Sequence, residues 1–218
     1  MSEPASLILV LGTRNKKKAG ELADLICPPW EANPWLGRVA IRRLDEFDTA
    51  IDVVEDSDTF AGNACKKASE TAIAIGEWTL ADDSGLTVDA LGGAPGVHSA
   101  RYAGTHGDDD ANNRKLLDNL KGLPADKRGA AFVCSLALAD PAGEIRLQAA
   151  GACRGRIVEA LRGVSGFGYD PLFLIPEYHK TFGELSRLVK HQLSHRARAF
   201  AALRPLLSRL IAAGDFKN

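Results

Sequence analysis

At 218 residues the chain is long enough to bury a substantial core as one large domain or two intimate lobes. Hydrophobic residues at 45% and charged residues at 25% are those of a globular protein, not of a disordered or fibrous one. Lys and Arg number 27 against 28 Asp and Glu, a net charge of -1, so no global field draws the chain to nucleic acid or an anionic membrane, and any anion site must be local. Cys27, Cys65, Cys134 and Cys153 form no C-x-x-C pair, which argues against a zinc site or a disulfide framework and for free thiols in a reducing compartment. The apolar run Leu7 to Leu11 is too short for a signal core, and no stretch approaches the ~18 apolar residues of a membrane span. The expectation is a cytoplasmic protein with neither a membrane nor a nucleic-acid partner.

Taken in order, Leu7 to Leu11 is a continuous apolar run that suits a strand buried on both faces. Gly12 to Asn15 breaks it, and Ala19, Leu22, Ala23, Leu25 and Ile26 follow at helical spacing. A helix N-terminus after a strand is a ready anion site, and Thr13, Asn15 and Lys18 are placed to use it. The turn is not a Walker A loop, and a simple capped helix with a solvated lysine run remains the other reading. Cys27 to Leu44, with three prolines and two tryptophans, reads as an irregular connection holding one strand near Arg38 to Arg42.

Asp45 to Asp58 is acidic, and a helix is expected over Thr59 to Ile75 because Phe60, Ala64, Ala68, Ala72 and Ile75 recur at helical steps. Asp58 or Thr59 can cap it. Acidic residues such as Glu55 ahead of a helix commonly serve its dipole. Asn63 and Lys67, four apart, share one helix face that is either solvated or lines a phosphate site.

Ala81-Asp82-Asp83-Ser84-Gly85-Leu86 stands between two short apolar runs. Alone it reads as a turn, since Asp, Ser and Gly are turn formers and carboxylates are costly inside a buried strand. Asp82 and Asp83 can share a site only if Ser84-Gly85 turns the chain; otherwise one faces a cleft and the other holds the backbone. Leu91 to Gly104 is a glycine-rich loop in which Ser99 and Arg101 have no evident packing reason. Asp108 to Leu120 reads as a helix, with Leu116, Leu117 and Leu120 inward.

Phe132 to Leu138 and Glu144 to Cys153 read as a hairpin across Asp140 to Gly143. Gly163 to Pro171 is a second glycine-rich loop, in which Phe167 and Tyr169 either plug the core edge or stack on a planar ligand. Leu172 to Ile175 continues as a strand, and Thr181 to Glu184 fits a capping box. Lys190, Ser194, His195 and Arg196 open the last helix, whose core stripe is Phe200, Leu203, Leu207, Leu210 and Ile211. Pro205 should kink it or mark a restart.

Six motifs in order carry a resemblance. They are Thr13-x-Asn15-x-x-Lys18; Thr59-Phe60 with Asn63-Ala64 and Lys67-Ala68; Ala81 to Leu86; Gly93-Ala94-Pro95-Gly96 with Ser99-Ala100-Arg101-Tyr102; Gly166 to Pro171; and Ser194-His195-Arg196. Together they resemble the Ham1/RdgB inosine triphosphate pyrophosphatases. The resemblance implies a mixed α/β fold over a single domain, residues 1–218, with two lobes around a central cleft and an elongated mixed sheet flanked by helices. It also implies a homodimer and Mg2+-dependent hydrolysis of ITP, dITP or XTP to the monophosphate and pyrophosphate. Gly62 departs from the family, which often has Glu there, and the Cys27 to Leu44 connection is unusually long and proline-rich.

By the same analogy Asp83 is catalytic and a metal ligand, Asp82 supports it, and Glu55 is the second metal ligand. Thr13, Asn15, Lys18, Asn63, Lys67, Ser84, Ser99 and Arg101 fall among the substrate-binding positions. Phe167 and Tyr169 would stack on the base, with Gly168 between them, and Asp170, Lys190, His195 and Arg196 would read its polar edge. The chemistry suits these types: attack of water on the α-phosphorus needs a base, a metal and fixed positive charge. A related pyrophosphatase of different base choice, such as the Maf type, and a non-catalytic nucleotide-binding protein are the competing readings.

Overall fold

The computed structural model describes residues 7–28, 35, 38–214 and 216. The strand β1 (Leu7–Leu11) lies between β2 (Val39–Arg43) and β3 (Trp78–Val88), parallel to both, with Leu9 in register with Ile41 on one side and Trp78 on the other. Parallel neighbours cannot be joined by a tight turn. The helix α1 (Lys16–Ile26) follows β1, and α2 (Phe60–Ile75) precedes β3. The strand expected near Arg38 to Arg42 is therefore present one residue later; the remainder of that connection includes residues 29–34, 36 and 37, which lie outside the described residues.

The hairpin β4 (Gly129–Ala139) and β5 (Ile145–Ile157) turns at Asp140, whose Oδ1 accepts from the N–H groups of Ala142 and Glu144. Two short antiparallel strands, β6 (Phe173–Ile175) and β7 (Lys180–Thr181), complete a seven-stranded mixed sheet of order β2-β1-β3-β4-β5-β6-β7. The remaining helices are α3 (Asp109–Asn119), α4 (Arg187–Leu193) and α5 (His195–Ala213).

The chain divides into two compact units, each assembled from separate stretches: Met1–Asp83, Ser135–Gly151 and Ala199–Asn218 in one, Ser84–Cys134 and Ala152–Arg198 in the other. In the first, Ala64, Ala68 and Ala72 of α2 pack on Ala81, Ala137 and Ala139. Side chains this small let the helix backbone approach the strands closely, which brings Asn63 and Lys67 within reach of β3. In the second, Leu86, Val88, Leu116, Leu120, Phe132, Phe173 and Phe182 belong to one apolar cluster. Arg128 is buried; it donates to the carbonyls of Leu120, Ile157 and Val158 and so ties the end of α3 to the end of β5.

Three local expectations are corrected. Ser84-Gly85 makes no turn: β3 runs unbroken from Trp78 to Val88, carrying both aspartates in its interior, and the two share one cluster without a turn because the charge of Lys67 meets both. Sheet pairing overrides the turn preference of Asp-Ser-Gly, because strand propensity is set by context. The last helical segment restarts at Ser194, which ends α4, so Lys190 sits on a short helix of its own. Pro205 marks no restart: α5 runs from His195 to Ala213 through it, and Phe200, Leu203, Leu207, Leu210 and Ile211 are buried on both sides of it. Burying each such side chain contributes about 1.5–3 kcal/mol, which together exceeds the ~3 kcal/mol cost of an internal proline.

Candidate active site

The first cluster is built on β3. Gly12 approaches that strand so closely that a Cβ there would lie 2.8 Å from Thr79 Cγ2, and its N–H donates to the carbonyl of Leu80. This contact seats the turn before α1 against the aspartate pair. Thr13 Oγ1 accepts from the N–H of Asn15, and Asn15 Oδ1 accepts from the N–H groups of Lys17 and Lys18. Asn15 is therefore the N-cap of α1, and two of the helix N–H groups that an anion could use are bonded to it. Lys18 reaches inward, with Nζ 3.6 Å from Asp82 Oδ2.

Asp82 is fully buried and Asp83 nearly so. Asn63, 1% exposed, donates from Nδ2 to Asp83 Oδ2 at 3.1 Å and accepts at Oδ1 from the N–H of Ser57. One amide thus fixes the Asp83 carboxylate and the segment that carries Glu55. Lys67 Nζ lies 2.8 Å from Glu55 Oε1 and 3.5 Å from Asp83 Oδ1, bridging the two carboxylates. Burial pushes the Asp83 carboxyl above the usual aspartate range; the positive charges of Lys67 and Lys18 oppose this without cancelling it, and Glu55 adds to it. For Lys67 burial would favour the neutral amine, but Asp82, Asp83 and Glu55 together outweigh it and raise its pKa. The cluster therefore holds a carboxylate whose charge is poorly solvated beside an ammonium that stays charged.

Gly62 sits where this packing is tightest. A Cβ there would come within 2.1 Å of Ser57 Oγ and 2.9 Å of Ser57 Cβ. Gly62→Ala is expected to lower stability by about 1–3 kcal/mol through overpacking, more than the ~1 kcal/mol that helix propensity returns. A double-mutant cycle with Ser57→Gly, read by denaturant unfolding, should recover most of the loss; strictly additive effects would contradict the contact.

The second cluster lies in the other unit. The carboxylate of Asp170, 2% exposed, pairs with Lys190 Nζ at 2.6 Å and accepts from the N–H of Phe167 at 2.9 Å. Lys190 Nζ also stands 4.9 Å from the centroid of the half-buried Phe167 ring and 5.8 Å from that of Phe182. The rings continue inward: Phe182 stacks on Phe132, and Phe132 stacks on His195 with centroids 4.8 Å apart and planes at 13°. Arg196, fully buried, donates from Nη2 to Ser84 Oγ at 2.8 Å. An aromatic row with an ion pair at one end is suited to a flat heterocycle with polar edges.

This chain matches the Ham1 family model over residues 9–206. It belongs to the Ham1 family. A relative from Rhodopirellula baltica named dITP/XTP pyrophosphatase is 58% identical over 93% of this chain and 94% of its own length. A second of that name, from Desulforamulus reducens, is 50% identical over 93% and 96%. Among solved structures, the Ham1 protein of Staphylococcus aureus superposes with a TM-score of 0.79 at 36% identity, covering 93% of this chain and 98% of that one. The dITP/XTP pyrophosphatase of Mycobacterium abscessus gives 0.71 at 40% identity, covering 91% and 100%.

Within this Ham1 protein the sequence-predicted residues fall into distinct places. Lys18, Glu55, Asn63, Lys67, Asp82 and Asp83 meet in the first unit, while Phe167, Asp170, Lys190, His195 and Arg196 gather in the second. Tyr169 takes the core-plugging option: it is 4% exposed within the apolar cluster, and its hydroxyl donates to the carbonyl of Ser99. Ser99 is a tie of the same kind, its Oγ donating to the carbonyl of Gly96 and accepting from the N–H of Leu86. Arg101 ends the short 3-10 segment Gly96–Arg101. Sequence reasoning missed Ser57, Asp109 and Asn113. Ser57 is hidden in an acidic run, whereas Asp109 and Asn113 carry a usable signal, since residues four apart share a helix face.

Proposed function

We propose that the protein hydrolyses dITP, XTP and ITP to the nucleoside monophosphate and pyrophosphate, with Mg2+ as cofactor. The observation that carries this reading is the Lys67 ammonium held between Glu55 and Asp83, with Asn63 fixing the latter. Two carboxylate oxygens converging on one positive charge suit a hard cation with oxygen ligands. Among the described residues no group of three His, Cys, Asp or Glu gathers to hold a metal, so substrate phosphates and water would complete the coordination. Glu55 and Asp83 would hold Mg2+, which when bound neutralises charge developing on the phosphate oxygens. The names of the relatives support the substrate class.

In this reading Asp83 accepts a proton from the attacking water. Lys18 and Lys67 hold the triphosphate as fixed cations, and Asp82 keeps Lys18 in place. Bond formation is from water oxygen to the α-phosphorus, and the bond to the bridging oxygen breaks as pyrophosphate leaves. In the second unit Phe167 stacks on the base. Lys190 donates toward the 6-keto oxygen that hypoxanthine and xanthine carry and adenine lacks. Adenine presents an amino group to that donor in place of an acceptor, a polar mismatch worth ~10⁴ in kcat/KM.

A panel of nucleoside triphosphates with pyrophosphate detection, run with Mg2+ and with chelator, tests the reading. Expected is preference for dITP, XTP and ITP over dATP and UTP, and no turnover in chelator; preference for UTP or dTTP would replace it with the Maf-type alternative. We include in the same proposal a homodimer acting in the cytoplasm as one folding domain, since each compact unit is assembled from separated stretches of chain. Light scattering should return twice the mass of one chain. No helix among the described residues is long and apolar enough to cross a membrane.

A further inference from the structure

The ring proposed to stack on the base sits on a segment with no helix or strand between Ile157 and Phe173, and residues 159–166 of it are exposed. A stacking ring selects a base only if its plane is fixed, so something must hold this loop. The Phe167 N–H donates to Asp170, whose carboxylate is tied in turn to Lys190, and the Ser165 N–H donates to the carbonyl of Gly183, so the loop is held on the side of α4 and Gly183. Gly168, the residue after Phe167, is held as well. Its N–H donates to Asp109 Oδ2 at 2.8 Å, and its carbonyl accepts from Asn113 Nδ2 at 3.0 Å. Gly168 has φ +60, a left-handed conformation that glycine adopts without strain, and this turns both of its polar groups toward α3.

We propose that Asp109 and Asn113 are positioning residues that clamp Gly168 and so set the place of the Phe167 ring, governing affinity for the base and choice among bases. The inference rests on the reading that Phe167 stacks on the base. Neither of these side chains caps the helix. Its N-cap is Asp108, whose Oδ1 accepts from the N–H of Ala111, and it is anchored in the core by Leu116 and Leu120. Asp109 supplies a charge-assisted acceptor, stronger than a neutral one. Asn113 is 5% exposed, so losing its amide leaves the Gly168 carbonyl without that donor in a place poor in water.

The test combines amide hydrogen exchange at Gly168, read by NMR on the free full chain, with steady-state kinetics on dITP and dATP and inhibition by inorganic tripolyphosphate. In the pair Asp109→Ala with Asn113→Ala, Gly168 exchange should accelerate about tenfold or more, as expected for losing two hydrogen bonds. KM for dITP should rise about tenfold, the dITP over dATP preference should narrow, and kcat should change by less than about twofold. Inhibition by tripolyphosphate, which reads only the phosphate-binding lysines, should not change. Asp109→Asn keeps an acceptor and should restore slow exchange and low KM. If the pair fails to fold, Asn113→Asp, which keeps the size but cannot donate to the Gly168 carbonyl, carries the same expectations for KM and base preference.

Faster exchange with unchanged KM and base preference overturns the clamp, as does unchanged exchange. Phe167→Ala separates the two ideas. If it leaves KM for dITP unchanged, the stacking reading itself fails and the clamp falls with it; if it raises KM while the α3 variants do not, only the clamp fails.

Discussion

Asp83→Asn is expected to reduce kcat for dITP by about 10³ or more, in the range measured for loss of a general base, while dITP still binds. The same substitution should not lower thermal stability. The raised pKa of Asp83 means that the folded chain holds its charged form less well than the unfolded chain does. A group shifted in that direction costs stability above its folded pKa, and the cost fades as pH falls toward the ordinary aspartate value. In chelator the variant should therefore melt at or above the wild type at neutral pH, and the gap should close on acidification. Lost binding together with lost turnover would assign Asp83 to the ground state, and a large fall in melting temperature would make it structural.

Lys190→Met is expected to have the largest effect on the fold. The ammonium is paired at 2.6 Å with Asp170, both side chains are at most 10% exposed, and Phe167 and Phe182 flank the charge. Removing one partner of a buried pair leaves the other uncompensated and costs about 3–5 kcal/mol. Adding Asp170→Asn removes the stranded charge and should recover much of the loss in denaturant unfolding, without recovering base discrimination, because the donor toward the 6-keto oxygen is still missing. If the double variant is no more stable than the single, Asp170 is not the group that Lys190 neutralises.

What could be read in the sequence was whatever depends on local periodicity. The apolar run of β1, the alanine spacing of α2, the inward leucines of α3 and the capping box at Thr181 all follow from neighbours in the chain. The aspartate pair was legible as chemistry but not as structure. Asp-Asp-Ser-Gly favours a turn locally, and it is held as a strand interior by side chains far away in sequence, Lys18 toward Asp82 and Asn63 and Lys67 toward Asp83.

The aromatic loop has the same limit. Phe167 and Tyr169 are two residues apart in one glycine-rich segment, and only the tertiary partner of the Tyr169 hydroxyl, the carbonyl of Ser99, separates a core residue from a candidate stacking one. Asp109 and Asn113 are four apart on one helix, yet nothing local says that the face they share meets Gly168.

The most direct test of the account is hydrolysis of dITP in water enriched in oxygen-18, with products separated and weighed by mass spectrometry. Attack at the α-phosphorus predicts one labelled oxygen in dIMP and an unlabelled pyrophosphate in equal amount. Label in pyrophosphate, or release of orthophosphate with dIDP, would contradict it.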